Sequence, residues 1–281
     1  MLDPHKSGEC EALLQNHDPD RWLACRFIPA RHRAAVMALY AFNADVARIR
    51  SVISEPLAGE MRLQYWRDVL NGPDQDHANP LASALWAVLH RYQLPTAPLL
   101  ALLDARVDDL YDAPPVDVTA LELYCGETCS VLFRYVTLIL ADGEETGPAS
   151  LSGMAGVAYA LTGLLRASGW LAAEGRVVIP QSMLEAKGVT AEALRDGSGA
   201  SKASDLISEL ADLAARRLDE TLAGLPAIPA TIRPAYAPLA LVRPWLARLQ
   251  GVNPLLVPPA DVPPWQKPFR LWRAAVWGLS L

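Results

Sequence analysis

Residues 31–53, RHRAAVMALYAFNADVARIRSVI, carry two apolar stripes at helical spacing. Val36, Leu39, Val46, Ile49 and Ile53 form one; Met37, Tyr40, Ala41, Ala44 and Ala47 form the other. A surface helix buries a single stripe and solvates the rest of its circumference. Two stripes need apolar neighbours on both sides, so this segment predicts a helix central to a bundle.

The same periodicity recurs along the chain. Ser54 reads as an N-cap and Pro56 suits the first turn of a helix running to Gly72. Further helices are predicted over 80–93, 96–112, 119–141, 150–172, 181–196, 202–223, 231–250 and 265–279. Thr119 and Glu122 have the spacing of a capping box. The only β-branched run is Val177-Val178-Ile179, cut off by Pro180. An all-α fold follows, as one domain over 1–281. Prolines crowd 224–268, which reads as an extended, ordered connection to a last helix, FRLWRAAVWGL (269–279).

Charge and cysteine content narrow the function. A formal net charge of −6 and a pI near 5.4 argue against a nucleic-acid surface. Cys125 and Cys129 lie four apart, on one face of a helix, yet no CxxC or nearby His accompanies them. All four thiols read as buried core groups rather than metal ligands. The N-terminus shows neither a secretory signal nor an Arg-rich transit stretch. SVLFRYVTLILA is too short to span a bilayer and carries Arg134. The expected setting is cytoplasmic, with peripheral contact at the inner face of a bacterial membrane left open. Trp265, Phe269, Trp272 and Trp277 are the candidates for such contact, and docking on the bundle core is their expected use.

Five segments occur in a telling order: RFIPARHRAAVMALYAF, RLQYWRDVL, LDARVDDLYD, LELYCGETCSVL and LTGLLRASGWLAAEGRVVIP. Together they resemble the squalene/phytoene synthase family. The resemblance implies an isoprenoid (trans-prenyl) synthase bundle of helices around a deep central cavity. It also implies two facing helices bearing aspartate-rich motifs that hold Mg²⁺ against prenyl diphosphates, since Mg²⁺ takes hard oxygen ligands.

At those positions the chain departs from the family. The first motif's aspartates would fall on Ala47, Arg48 and Ser51; the second's on Ala167 and Leu171, with Gly163 in place of an amide. Unit charges about 4 Å apart at an effective dielectric near 20 interact by about 4 kcal/mol, so Arg48 facing a divalent ion costs up to about twice that. No metal, cofactor or catalytic residue is therefore assigned. Mg²⁺ returns only if other carboxylates stand in. Asp104, Asp108 and Asp112 would share a helix face, Asp45 points elsewhere, and the family's R-x-D falls on Arg106 and Asp108.

Tyr40, Tyr124, Arg166 and Arg176 match positions the family places near substrate, and Arg48 adds a cation there. These five are the candidate substrate-binding residues. They suit an isoprenoid or lipid with an anionic head, held without metal. The competing reading pairs the arginines with acids such as Asp108 and Glu174, as structural replacements for the metal charge.

SEPLAGEMRLQYWRDVL and LLRASGWLAAEGRVVIPQSMLEAKGV resemble more narrowly a divergent branch that includes a mitochondrial complex I assembly factor. That resemblance implies a non-catalytic role contacting nascent complex I subunits. The alternatives are a head-to-head prenyl transferase acting on farnesyl or geranylgeranyl diphosphate, and a metal-independent lipid binder.

Overall fold

The computed structural model describes residues 4–72 and 78–277, with side chains over 6–72 and 78–275. Fourteen α-helices lie among the described residues, and no strand does. In chain order they are α1 (Pro4–His17), α2 (Pro19–Ala24), α3 (Ala30–Ala47), α4 (Pro56–Asn71), α5 (Pro80–Arg91), α6 (Ala97–Asp108) and α7 (Val118–Cys125). There follow α8 (Val131–Leu140), α9 (Ala149–Ala173), α10 (Gln181–Ala186), α11 (Ala191–Arg195), α12 (Ser204–Gly224), α13 (Val242–Leu249) and α14 (Gln266–Trp277).

α3 is buried on both of its apolar faces, and α1, α5 and α8 pack around it. Its second stripe fades at Ala47, which is exposed. The α-helix also stops there: Arg48 is the C-cap and Ile49–Val52 is a 3₁₀ turn. α9 is the second central helix, lying against α12, α8, α13 and the segment between α7 and α8.

Several local expectations are revised. α4 starts after Glu55, with no side-chain cap, so Ser54 is not its N-cap. Asp117 caps α7 by accepting from the Ala120 amide at 2.8 Å, while Glu122 pairs with Arg217 instead of closing a capping box. A π turn, Gly126–Ser130, interrupts the expected 119–141 helix. Cys125 and Cys129 are both buried, as the core reading expects. Gly188, in left-handed backbone (φ 62°), splits 181–196 into α10 and α11. Pro238 leaves the first half of 231–250 as a 3₁₀ helix, Arg233–Leu241. About half of the Pro-rich stretch is thus helical, with 228–232 and 250–265 in turns and extended chain. Val177, Val178 and Ile179 are buried without forming a strand. α1 was not legible, because Cys10 and Leu14 alone carry its buried face.

Counted across the π turn, Val118–Leu140 is long and apolar enough to cross a membrane. That corrects the judgement made on its second half alone. Of its most apolar window, 67% is buried in the bundle, which is the burial of a core helix.

Candidate functional site

The end of α6, α7 and the chain leaving α9 bring one buried ion network together. Asp109 is 5% exposed. Arg106, three residues earlier, donates to it at 2.9 Å, and Arg176 reaches its other oxygen at 2.5 Å. The Tyr124 hydroxyl donates to Asp109 at 3.0 Å and accepts from Arg106 at 2.7 Å and Arg176 at 2.8 Å. Burial, partly countered by the two guanidinium groups, pushes the Tyr124 phenol up to about 12. Burial works against the charge on Arg106, yet Tyr124 and Asp109 hold its pKa above the ordinary value. One polar atom of the network, Arg106 Nε, is buried without an acceptor.

A pocket of about 320 Å³ opens beside this network. Tyr124, Arg176 and Asp109 give it a polar floor; Pro115, Val116, Leu164 and Val178 are among its apolar walls. Deeper in the bundle a second cluster surrounds Arg21. Its guanidinium lies 5.2 Å from the Tyr40 ring centre and 4.6 Å from that of Tyr159. It also donates to Cys129 Sγ at 3.1 Å and pairs with Asp18 at 2.9 Å. Burial raises the pKa of Tyr40 and Cys129, so both stay protonated and face the arginine as neutral acceptors.

The five candidate residues are therefore not one constellation. Tyr124 and Arg176 meet, and Tyr40 belongs to the neighbouring Arg21 cluster. Arg48 turns outward to His17 Nε2 on α1, at 2.5 Å. Arg166 lies over the Trp245 ring at 4.3 Å and pairs with Asp261 at 2.8 Å. The acid that pairs with Arg106 and Arg176 is Asp109, not Asp108, and Glu174 contributes only its carbonyl, to Arg50. Arg21 escaped notice because α1 and α2 did.

Asp261 belongs to a clasp that fastens the C-terminal segment. Besides Arg166 it accepts from Trp245 Nε1 at 3.0 Å and from Lys267 at 2.7 Å, while Lys267 also bonds Asp20 on α2 at 2.8 Å. Burial depresses the Lys267 pKa, but its two carboxylates more than offset this and raise it. Stability from a raised lysine is complete below the unfolded pKa and is lost as pH rises through the folded one. The melting-temperature gap between wild type and Lys267→Met is thus expected to stay level from pH 6 to about 10 and to close above that. A gap already closed at pH 7 would show that the clasp contributes nothing.

The residues do not fit the Mg²⁺ that the fold family implies. Ala47 offers a methyl group, Ser51 donates its hydroxyl to the Arg48 carbonyl at 2.8 Å, and Gly163, Ala167 and Leu171 offer no side-chain oxygen. Among the described residues no three His, Cys, Asp or Glu side chains gather around a common point. The stand-in carboxylates are dispersed. Asp104 pairs with Arg67 at 2.6 Å, and Asp45 accepts from Trp66 Nε1 at 3.1 Å. α6 ends at Asp108, and Asp112 sits beyond it in left-handed backbone (φ 56°), so Asp104, Asp108 and Asp112 do not share a helix face. Asp112 instead takes both arms of Arg50, at 3.2 and 2.9 Å, and Arg50 continues to the Glu174 carbonyl at 3.3 Å. One cation thus ties the ends of α3, α6 and α9.

Comparison with known proteins places the fold and the family. Bovine NADH dehydrogenase (ubiquinone) complex I assembly factor 6 is 27% identical over 246 residues, covering 87% of this chain and 74% of the bovine protein. Presqualene diphosphate synthase of Sinorhizobium fredii is 30% identical over 171 residues, 60% of this chain and 61% of that enzyme. The fold is shared with a dehydrosqualene synthase crystal structure (TM-score 0.80, 21% identity, 99% of this chain and 98% of that one). A squalene synthase from Alicyclobacillus acidocaldarius aligns with a TM-score of 0.72 at 21% identity, over 88% of this chain and 93% of its own. The squalene/phytoene synthase family model matches residues 14–273, from within α1 to within α14. A match of that extent takes in every helix between, and the chain belongs to the squalene/phytoene synthase family.

Proposed function

We propose that this protein is a non-catalytic member of its family, serving as an assembly factor for the respiratory NADH dehydrogenase. The observation that carries the reading is the rewritten motif face. Where the family would present carboxylates, the chain has Ala47 at the end of α3, Arg48 and Ser51 just beyond it, and Ala167 and Leu171 on α9. Likeness to complex I assembly factor 6 over 87% of the chain supports the second half of the proposal. A nascent complex I subunit is the implied partner. Purified protein incubated with farnesyl diphosphate, with and without Mg²⁺, is expected to release no pyrophosphate. A strain lacking the gene is expected to lose assembled complex I severalfold on native gels with its C30 and C40 isoprenoids unchanged. Metal-dependent release would defeat the first claim, and intact complex I the second.

A metal-independent ligand is compatible with this role. Its support is the pocket floored by Arg176 and Tyr124, whose cation and hydroxyl could meet an anionic head. Saturable binding of farnesyl diphosphate in EDTA, without turnover, would mark this reading.

A further inference from the structure

α14 docks through one side and leaves a chemically distinct side outward. Leu271 is fully buried, Ala274 packs on the core, and Lys267 enters the clasp with Asp20 and Asp261. Phe269 and Trp272, three apart, lie on the other side of the helix, and Trp265 stands in the turn just before it. Their exposures are 55%, 42% and 73%. This corrects the expectation that these aromatics dock on the bundle; the Trp277 side chain lies outside the described residues. The Phe269 and Trp272 rings sit 5.8 Å apart, tilted by 35°, as one surface.

Cations flank that surface. The helix contains Lys267, Arg270 and Arg273 and no acid. Burial, and then the neighbouring Arg273 and Arg248, lower the Arg270 pKa, so three guanidinium groups crowd together. Among the described residues no carboxylate pairs with Arg270 or Arg273. A chain of net charge −6 concentrates unneutralised positive charge beside its most exposed aromatic face. Scattered exposed apolar residues are ordinary, whereas a contiguous aromatic face bordered by cations is a binding surface.

We infer that the outward face of α14 docks on an anionic lipid surface. Tryptophan and phenylalanine insert at headgroup level, where the ring is apolar and the indole N–H stays wet, while the guanidinium groups bind lipid phosphates. A protein partner offers no general reason for cations to border the patch without acids, and an anionic leaflet does. The clasp sets the geometry: Lys267 is used internally, so the helix meets the membrane already folded and oriented.

The test is co-sedimentation of the full chain with phosphatidylcholine vesicles containing 30% phosphatidylglycerol, against pure phosphatidylcholine. Binding is expected only to the anionic vesicles, falling steeply between 50 and 500 mM NaCl. Each cation near such a surface contributes about a factor of five, so Arg270→Gln/Arg273→Gln should weaken partitioning about thirty-fold. Trp265→Ala/Phe269→Ala should weaken it as well, and the wild-type tryptophan emission should shift blue on binding. Melting temperatures of both variants, expected within a few degrees of wild type, keep misfolding apart from lost contact. Absence of anionic-vesicle binding, or binding that neither double variant alters, overturns the inference. So does vesicle-independent self-association abolished by Trp265→Ala/Phe269→Ala, which would make the face a protein interface.

Discussion

Asp109→Ala is expected to be the most damaging single carboxylate replacement in the chain. Asp109 is the only acid of its network, and removing it leaves Arg106 and Arg176 facing each other across Tyr124 in a buried site. Breaking a buried pair by deleting one partner costs about 3–5 kcal/mol, because the remaining charge is stranded. For a chain of this size that lowers the melting temperature by about 10 °C. Asp108→Ala, one residue earlier but exposed, should change stability by less than about 0.5 kcal/mol. Thermal melts of the two variants side by side decide the matter. Equal losses would mean that the network is not what secures the junction of α6, α7 and the chain after α9.

Gly156→Ala is the second large effect. A Cβ at this position in α9 would overlap the Cα and N atoms of Ser130, in the π turn. Backbone cannot swing aside as a long side chain can, so α9 and the π turn must separate. Ala for Gly inside a helix is intrinsically favourable by about 1 kcal/mol, and overpacking of a tight contact costs about 1–3 kcal/mol or more. Steric cost wins here, with an expected net loss of about 2 kcal/mol. At Gly163 nothing lies within 4 Å of the would-be Cβ, so the same change there should keep the propensity gain and raise the melting temperature slightly. Denaturant unfolding of both variants measures the difference. A stabilised Gly156→Ala would show that the two segments are not in close contact.

Helix existence was legible wherever a long apolar stripe survived, as in α3, α4, α5, α9 and α12. What escaped had identifiable physical reasons. α1 buries little more than Cys10 and Leu14, too sparse a pattern to register over polar neighbours. The π turn leaves composition unchanged while shifting the face that follows, so the run 119–141 read as one regular helix. In the site, motif correspondence favoured Asp108 as the partner of Arg106. Residues two apart on a helix point to opposite sides, whereas three apart they are neighbours, and Arg106 takes Asp109. The remaining partners were beyond any local pattern. Arg166 and Asp261 are 95 positions apart, and Arg21 and Cys129 are 108 apart. Such pairings arise only when the bundle closes, so a residue type matched to a family position did not reveal which way its side chain had turned.

The Arg50 joint frees its end of the fold from the supply of a divalent ion. A divalent ion bridging helix ends is a visitor, present in proportion to its concentration and removable by a chelator. Arg50 is tethered to the chain, so its local concentration at Asp112 and Glu174 is set by backbone geometry alone. It has no dissociation equilibrium with solution and no vacancy that a competing ion can fill. In this protein that end of the fold is laced from the moment the chain folds. Its shape at that end is set by the sequence and not by the supply of an ion.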